Sequence, residues 1–232
     1  DWEYPASIGL YELDNTGFDN TYCGVRLFGA YSRALPAKSF ACFFRGKYGV
    51  EQIEYPFFGE NYVTTFNSLV LRNGGQDWNR ARMRDALVSK LAIDHGLKVD
   101  CMNMKPVVLY LNGEYWGCYY IREKLNEDYV ANHYGVKDDD VTVLVGNAKN
   151  AKEYQALVTY IKQHDMRNDE YYEYVASQMD IDNYIDYVIA EIACGNTDHG
   201  NIRFYKYPGG KWRWMLYDVD WGLTTTESDC VF

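Results

Sequence analysis

The apolar pattern of this 232-residue chain changes period near residue 122, and that change constrains the fold more than any other feature. Before it, short apolar runs with imperfect alternation, Cys23 to Phe28, Lys38 to Arg45 and Thr65 to Leu71, are bounded by Gly, Pro and polar clusters, as strands are. One helical pattern interrupts them: Asp77 stands as N-cap, Leu87, Val88, Leu91 and Ala92 recur at helical spacing, and Gly96 is the stop. A hairpin follows, in which Val107 to Leu111 and Tyr115 to Ile121 flank Asn112-Gly113, the dipeptide that tight two-residue turns prefer. Beyond residue 122 the patterns turn helical, near 126–134, 150–164, 168–179 and 182–194. A last hairpin runs from Ile202 to Tyr207, through Pro208-Gly209-Gly210, and back as Lys211 to Tyr217. The pattern predicts an α+β chain of two lobes within one domain. A strand-rich N-terminal lobe spans 1–122, and a helical C-terminal lobe with a late β-hairpin spans 123–232.

Composition narrows the function classes. No apolar run approaches the ~20 residues of a membrane-spanning helix, so no span is expected. The first residues, Asp1-Trp2-Glu3-Tyr4-Pro5, do not read as a signal peptide. A net charge of −10 disfavours nonspecific binding to nucleic acid or anionic membranes and favours cationic partners. The cysteines at 23, 42, 101, 118, 194 and 230 form no CxxC pair, and with only four His they argue against structural zinc. Cys42, Cys118 and Cys194 lie in apolar runs and read as small buried hydrophobes, while disulfides stay open if the protein is exported.

The chemistry concentrates in two segments, Gly195-Asn196-Thr197-Asp198-His199-Gly200-Asn201 and Tyr217-Asp218-Val219-Asp220-Trp221-Gly222. A helix ends at Gly195, a loop presents Asp198 and Asn201, and the last hairpin returns Asp218 beside that loop. Asp218 and Asp220 are two apart, so in an extended segment both carboxylates point to one side. Phosphoryl transfer needs such a set: one carboxylate for the attacking hydroxyl, and an Asn with a second carboxylate for magnesium. Taken singly, each motif also reads as turn and strand-end chemistry, since Asp and Asn are common in turns.

The chain resembles the spore-coat CotH kinase family and, through it, protein-kinase-like folds. The resemblance rests on Ser32 to Phe40 (SRALPAKSF), Leu71 to Asp77 (LRNGGQD), Leu111 to Gly117 (LNGEYWG), Arg122-Glu123-Lys124 and Asn196 through Gly222. Asparagine here follows the loop aspartate at +3, a shorter spacing than in typical kinases. The resemblance implies a two-lobed protein-kinase-like fold and an atypical kinase that uses ATP with Mg2+ or Mn2+. It phosphorylates Ser or Thr hydroxyls of a protein substrate, and a basic Ser/Thr-rich tail would suit the acidic chain. Asp198 is then the catalytic group, with Asn201, Asp218 and Asp220 as metal ligands. Lys38 is the phosphate lysine, with Asp85 as its partner acid, although either side chain also reads as a solvated surface group. Ser32 and Arg33 would cover the phosphates. Glu123, at the hinge, would pair with ribose or Arg72, or stand as a surface acid. An extracellular, cell-surface or spore-coat setting is implied, as is a longer parent chain supplying the remaining C-lobe helices. The alternatives are a catalytically silent surface or coat-assembly module, and a kinase-like fold acting on a small molecule.

Overall fold

The computed structural model describes residues 2–198 and 200–224. The first strands are β1 (Tyr4–Tyr11), β2 (Gly17–Phe28), β3 (Ser39–Phe43), β4 (Ile53–Glu54), β5 (Thr65–Phe66) and β6 (Ser68–Arg72). Helix α1 (Arg84–Asp94) and β7 (Asp100–Cys101) follow, then β8 (Met104–Leu111) and β9 (Glu114–Glu123). The remainder comprises α2 (Glu127–Tyr134), β10 (Thr142–Val145), α3 (Lys152–Gln163), α4 (Asp169–Gln178), α5 (Ile181–Cys194), β11 (Arg203–Lys206) and β12 (Arg213–Leu216). The chain is thus mixed α+β, and among the described residues no helix is long and apolar enough to cross a membrane.

The residues cluster into two compact units that are not contiguous halves. One comprises Asp1–Arg82 with Asn103–Lys124, the other Met83–Met102 with Leu125–Phe232. In the first unit, six strands form an antiparallel sheet in the order β1-β2-β3-β6-β9-β8. Register places Val25 opposite Cys42, Cys42 opposite Leu69, and Leu71 opposite Ile121, so these apolar side chains share one face. Leu10, Cys23, Phe44, Phe57 and Phe66 complete that core. The β8–β9 turn holds Asn112 at φ +52° and Gly113 at φ +83°, the pair of left-handed residues a tight hairpin requires.

Sequence pattern and structure part at three places in these elements. Helix α1 starts at Arg84, not after Asp77. Asp77 closes a short 3-10 turn, its carboxylate accepts the Ala81 N–H at 3.1 Å, and Arg82 at φ +57° breaks the run before the helix begins. Strands β1, β4, β7 and β10 lie outside the runs that the sequence pattern predicts, and β4 and β7 are two residues long, too short for alternation to show. Cys118 lies exposed on β9 although its neighbours are apolar; Cys42 and Cys194 are buried. The five described cysteines are thiols, and Cys230 lies outside the described residues.

In the second unit a four-stranded sheet runs β10-β11-β12-β7, with β12 and β7 parallel. Its core gathers Phe204, Trp212, Trp214, Leu216 and Val219 with Val88 and Ala92 of α1 and Tyr187 and Ala190 of α5. Phe204 stacks on Trp214 with centroids 5.4 Å apart. Beside this core lies a polar hub. Asp100 accepts Tyr134 OH at 2.7 Å, Tyr205 OH at 2.9 Å and Arg213 Nε at 3.0 Å. Arg213 also pairs with Asp180, the N-cap of α5, and donates to the Lys98 carbonyl at 2.8 Å.

Two expectations follow. Asp100→Ala removes one of the two acids that hold a mostly buried guanidinium and takes the acceptor from the Tyr134 and Tyr205 hydroxyls, so chemical denaturation should show a loss of about 3 kcal/mol, with Asp100→Asn losing less. The second concerns Glu3, whose side chain is 7% exposed. Burial opposes its charge, but bonds from Tyr48 and Lys47 with the nearby Arg45 outweigh burial and draw its pKa from 4.5 to about 2. A carboxyl whose folded pKa is depressed stabilises above about pH 4.5 and loses that contribution as pH falls towards 2. Acid titration of stability should therefore be shallower over that window in Glu3→Gln.

Candidate active site

The site grows out of the C-terminal end of α5. Asp180 caps the helix at its start by accepting the Asn183 N–H at 3.1 Å, and Gly195 ends it. The chain then turns directly into the loop that carries Asp198 and Asn201. Asn201 Nδ2 donates to Asp198 Oδ2 at 2.8 Å and to Asp218 Oδ2 at 3.1 Å. Three side chains from the two ends of the last hairpin thereby meet at one amide. His199, within that loop, lies outside the described residues.

The segment carrying Asp218 and Asp220 is not extended, and this corrects the expected geometry. β12 ends at Leu216, and Asp218 adopts φ +59°, a left-handed conformation uncommon for a residue with a side chain. Alternation therefore fails across Val219. Asp218 is half-buried, whereas Asp220 is 3% exposed and sits in the turn closed by Gly222 N–H donating to the Val219 carbonyl at 2.9 Å. Asp85, buried in the first turn of α1, accepts the Val219 N–H at 3.3 Å, so it supports the backbone between the two acids.

The other sequence candidates belong to the first unit. Lys38 immediately precedes β3, is half-buried, and donates from Nζ to the Arg33 carbonyl at 2.7 Å. Ser32 is buried in a 3-10 turn, Tyr31–Ala34, against Gly29, where a Cβ would come within 2.0 Å of Ser32 Oγ. Glycine is favoured at position 29 by its φ of +107°, a conformation that residues with side chains rarely adopt. Arg33 donates its backbone N–H to Ala30 and its Nε to the Gly29 carbonyl. Glu123 is not a surface acid: it is 3% exposed at the end of β9, shares the face of Ile121, and accepts Tyr62 OH.

Two site-supporting residues, Glu191 and Arg203, stand outside the sequence candidates. Glu191 is 4% exposed on α5 and accepts Asn196 Nδ2 at 2.7 Å, while Asn196 Oδ1 accepts the Asp198 N–H at 3.2 Å. Burial, joined by the charge of Asp198, pushes the Glu191 carboxyl above its ordinary range, and bonds from Asn196 and Tyr187 pull the other way. Its signal was present: a single acid within Val188 to Cys194, an otherwise apolar helical run, five residues before Asn196. Arg203 is a second support, donating to the Leu125 carbonyl and lying 4.2 Å over the Tyr217 ring.

Among the described residues no cluster of three His, Cys, Asp or Glu side chains stands ready to hold a metal. The donor set here is smaller and harder, two carboxylates and an amide, which suits a cation such as magnesium that keeps several of its waters. If Glu191 anchors the loop, Glu191→Ala should raise hydrogen exchange at the Asp198 amide and cost about 1–3 kcal/mol for the stranded Asn196 donor. Glu191→Gln keeps an acceptor and should retain most of the protection.

No curated protein matches the chain. The family model described as CotH kinase protein matches residues 25–230, which takes in both acid-bearing loops and all but the first strand and the start of the second. The chain therefore belongs to the CotH kinase family.

Proposed function

We propose that the protein is a metal- and ATP-dependent kinase that transfers the γ-phosphate to Ser or Thr hydroxyls of a protein substrate. Family membership supports the coarser part, a kinase-like function. The observation that carries the finer part is the Asn201 amide standing between the Asp198 and Asp218 carboxylates. Two acids drawn to one point are costly beside each other unless a donor or a cation lies between them. Here an uncharged amide serves, and a divalent cation would serve better.

In this reading Asp198 orients the attacking hydroxyl and accepts its proton, a role for a carboxylate fixed on a loop anchored by Asn196 and Glu191. Asn201, through Oδ1, and Asp218 hold the metal, with Asp220 behind them. A bound metal would neutralise charge on the nucleotide phosphates. Lys38 contributes an ammonium to phosphate, with Ser32 and Arg33 in the turn before it. A basic Ser/Thr-rich segment would suit a chain of net charge −10. The cell-surface or spore-coat setting belongs to the same proposal.

Three variants test the division of labour. Saturating ATP with Mg2+ or Mn2+, at ~100 times its dissociation constant, should add about 2.7 kcal/mol to stability. Asp218→Ala should lose that gain together with transfer of labelled phosphate. Asp198→Ala should keep the gain and lose transfer, and Lys38→Ala should weaken ATP far more than adenosine. Stabilisation without transfer to any Ser/Thr substrate would favour a silent binding module. No stabilisation with either metal would remove the nucleotide from the reading.

A further inference from the structure

The six-stranded sheet holds a second feature, remote in chemistry from the acid-bearing loops. Ile8, Val25, Phe40, Leu71, Val107 and Ile121 are among the residues lining a cavity of about 460 Å³. That volume lies within the range of small-molecule sites. Its walls include β1 and β8, the two ends of the sheet order, which pair with β2 and β9 and not with each other. At one end the two margins are joined by the ion pair of Lys105 with Glu12, which also accepts Tyr55 OH at 3.1 Å. Much of the wall is apolar surface left partly open: Ile8, Phe18, Val25, Phe40, Leu71 and Val107 are all half-buried. β1 lies outside the stretch matched by the family model.

We infer that this cavity binds the hydrocarbon of a long-chain acyl or alkyl molecule. Charge is the first argument. None of the twenty lining residues is charged, in a chain where 24% of residues are and about five would be expected. An uncharged, apolar ligand is complementary to such a wall, and a nucleotide or a peptide with charged side chains is not. Edge geometry is the second. β1 shifts register between Ile8 and Leu10, and β8 shifts between Leu109 and Tyr110. Irregularities of this kind break the even spacing of N–H and C=O groups that an added strand would need on either margin. A flexible chain without hydrogen-bonding demands fills the space without those groups.

The test titrates the full chain with hexadecanoic acid and, separately, hexadecan-1-ol, followed by calorimetry and by tryptophan fluorescence. Trp116 packs edge-on against Phe40 at 5.8 Å and should report occupancy. Both probes should bind saturably at one site, with affinities within about threefold of each other, because the wall reads the chain and not the headgroup. Val25→Phe on β2 and, independently, Val107→Trp on the marginal β8 fill the space from two different strands. Each should abolish binding of both probes while leaving the melting temperature and metal–nucleotide binding unchanged. The inference is overturned by absence of saturable binding to the unaltered chain, by binding that survives both filled variants, or by strong preference for the acid over the alcohol. Sedimentation showing a dimer that excludes both probes would overturn it equally, by giving the face to a second copy.

Discussion

The placement of Asp218 depends on a charge pair that does not touch it. Arg213 opens β12, and its guanidinium is gripped by Asp100 of β7 and Asp180 at the start of α5. Asp100 in turn takes hydroxyls from Tyr134 of α2 and Tyr205 of β11, whose pKa values burial and the Asp100 charge both push up. A buried ion pair of this type adds little net stability compared with well-packed apolar groups. Its contribution is directional. It admits one register of β12, with Met215 beside Asp100 and Leu216 beside Cys101. A one-residue slip would exchange the faces of Trp214 and Met215, both now buried, and would move the Asp218 carboxylate from the loop it meets.

Each acid-bearing loop then has its own anchor, and both anchors are buried acids. Asp85 holds the Val219 N–H on one side, and Glu191, through Asn196, holds the Asp198 N–H on the other. Four acids on neighbouring segments would repel if all faced one point. They are instead sorted by role. Asp85 and Glu191 are directed at backbone or at an amide that serves backbone, and Asp198 and Asp218 are left to face each other across Asn201. The arrangement gathers two carboxylates at one amide and directs the other two acids at backbone support, an order that the proposed cation site would use.

Sequence alone made legible what is periodic or chemically singular. The Asn112-Gly113 turn, the order of helices between residues 126 and 194, and the meeting of Asp198, Asn201 and Asp218 all follow from pattern and chain geometry. What stayed hidden depends on single torsions or on tertiary burial. Nothing periodic announces the left-handed Arg82 that delays α1, or the left-handed Asp218 that defeats alternation between Asp218 and Asp220. β1 (YPASIGLY) is interrupted by Pro5 and Gly9 and β10 (TVLV) is four residues long, and neither alternates apolar with polar along its whole length. Glu123 reads as a hinge acid from its neighbours, yet the strand register turns it towards Tyr62 and the aromatic core.

The left-handed backbone at Asp218 also limits which residues can stand there. Most side chains meet the preceding backbone at φ +59°, while Gly, Asn and Asp tolerate it. Glycine relaxes the strain but brings no oxygen to Asn201. Asparagine keeps the conformation and an acceptor but removes the charge. Glutamate keeps the charge but is poorly tolerated in this conformation. Aspartate satisfies both the torsion and the bond to Asn201, and it alone adds the charge that the proposed metal site calls for. A strained residue held by packing on both sides, Val219 buried in the core and Tyr217 under Arg203, is a strained residue with a reason to be there. In the proposed function that reason is the carboxylate, which the torsion directs at the Asn201 amide.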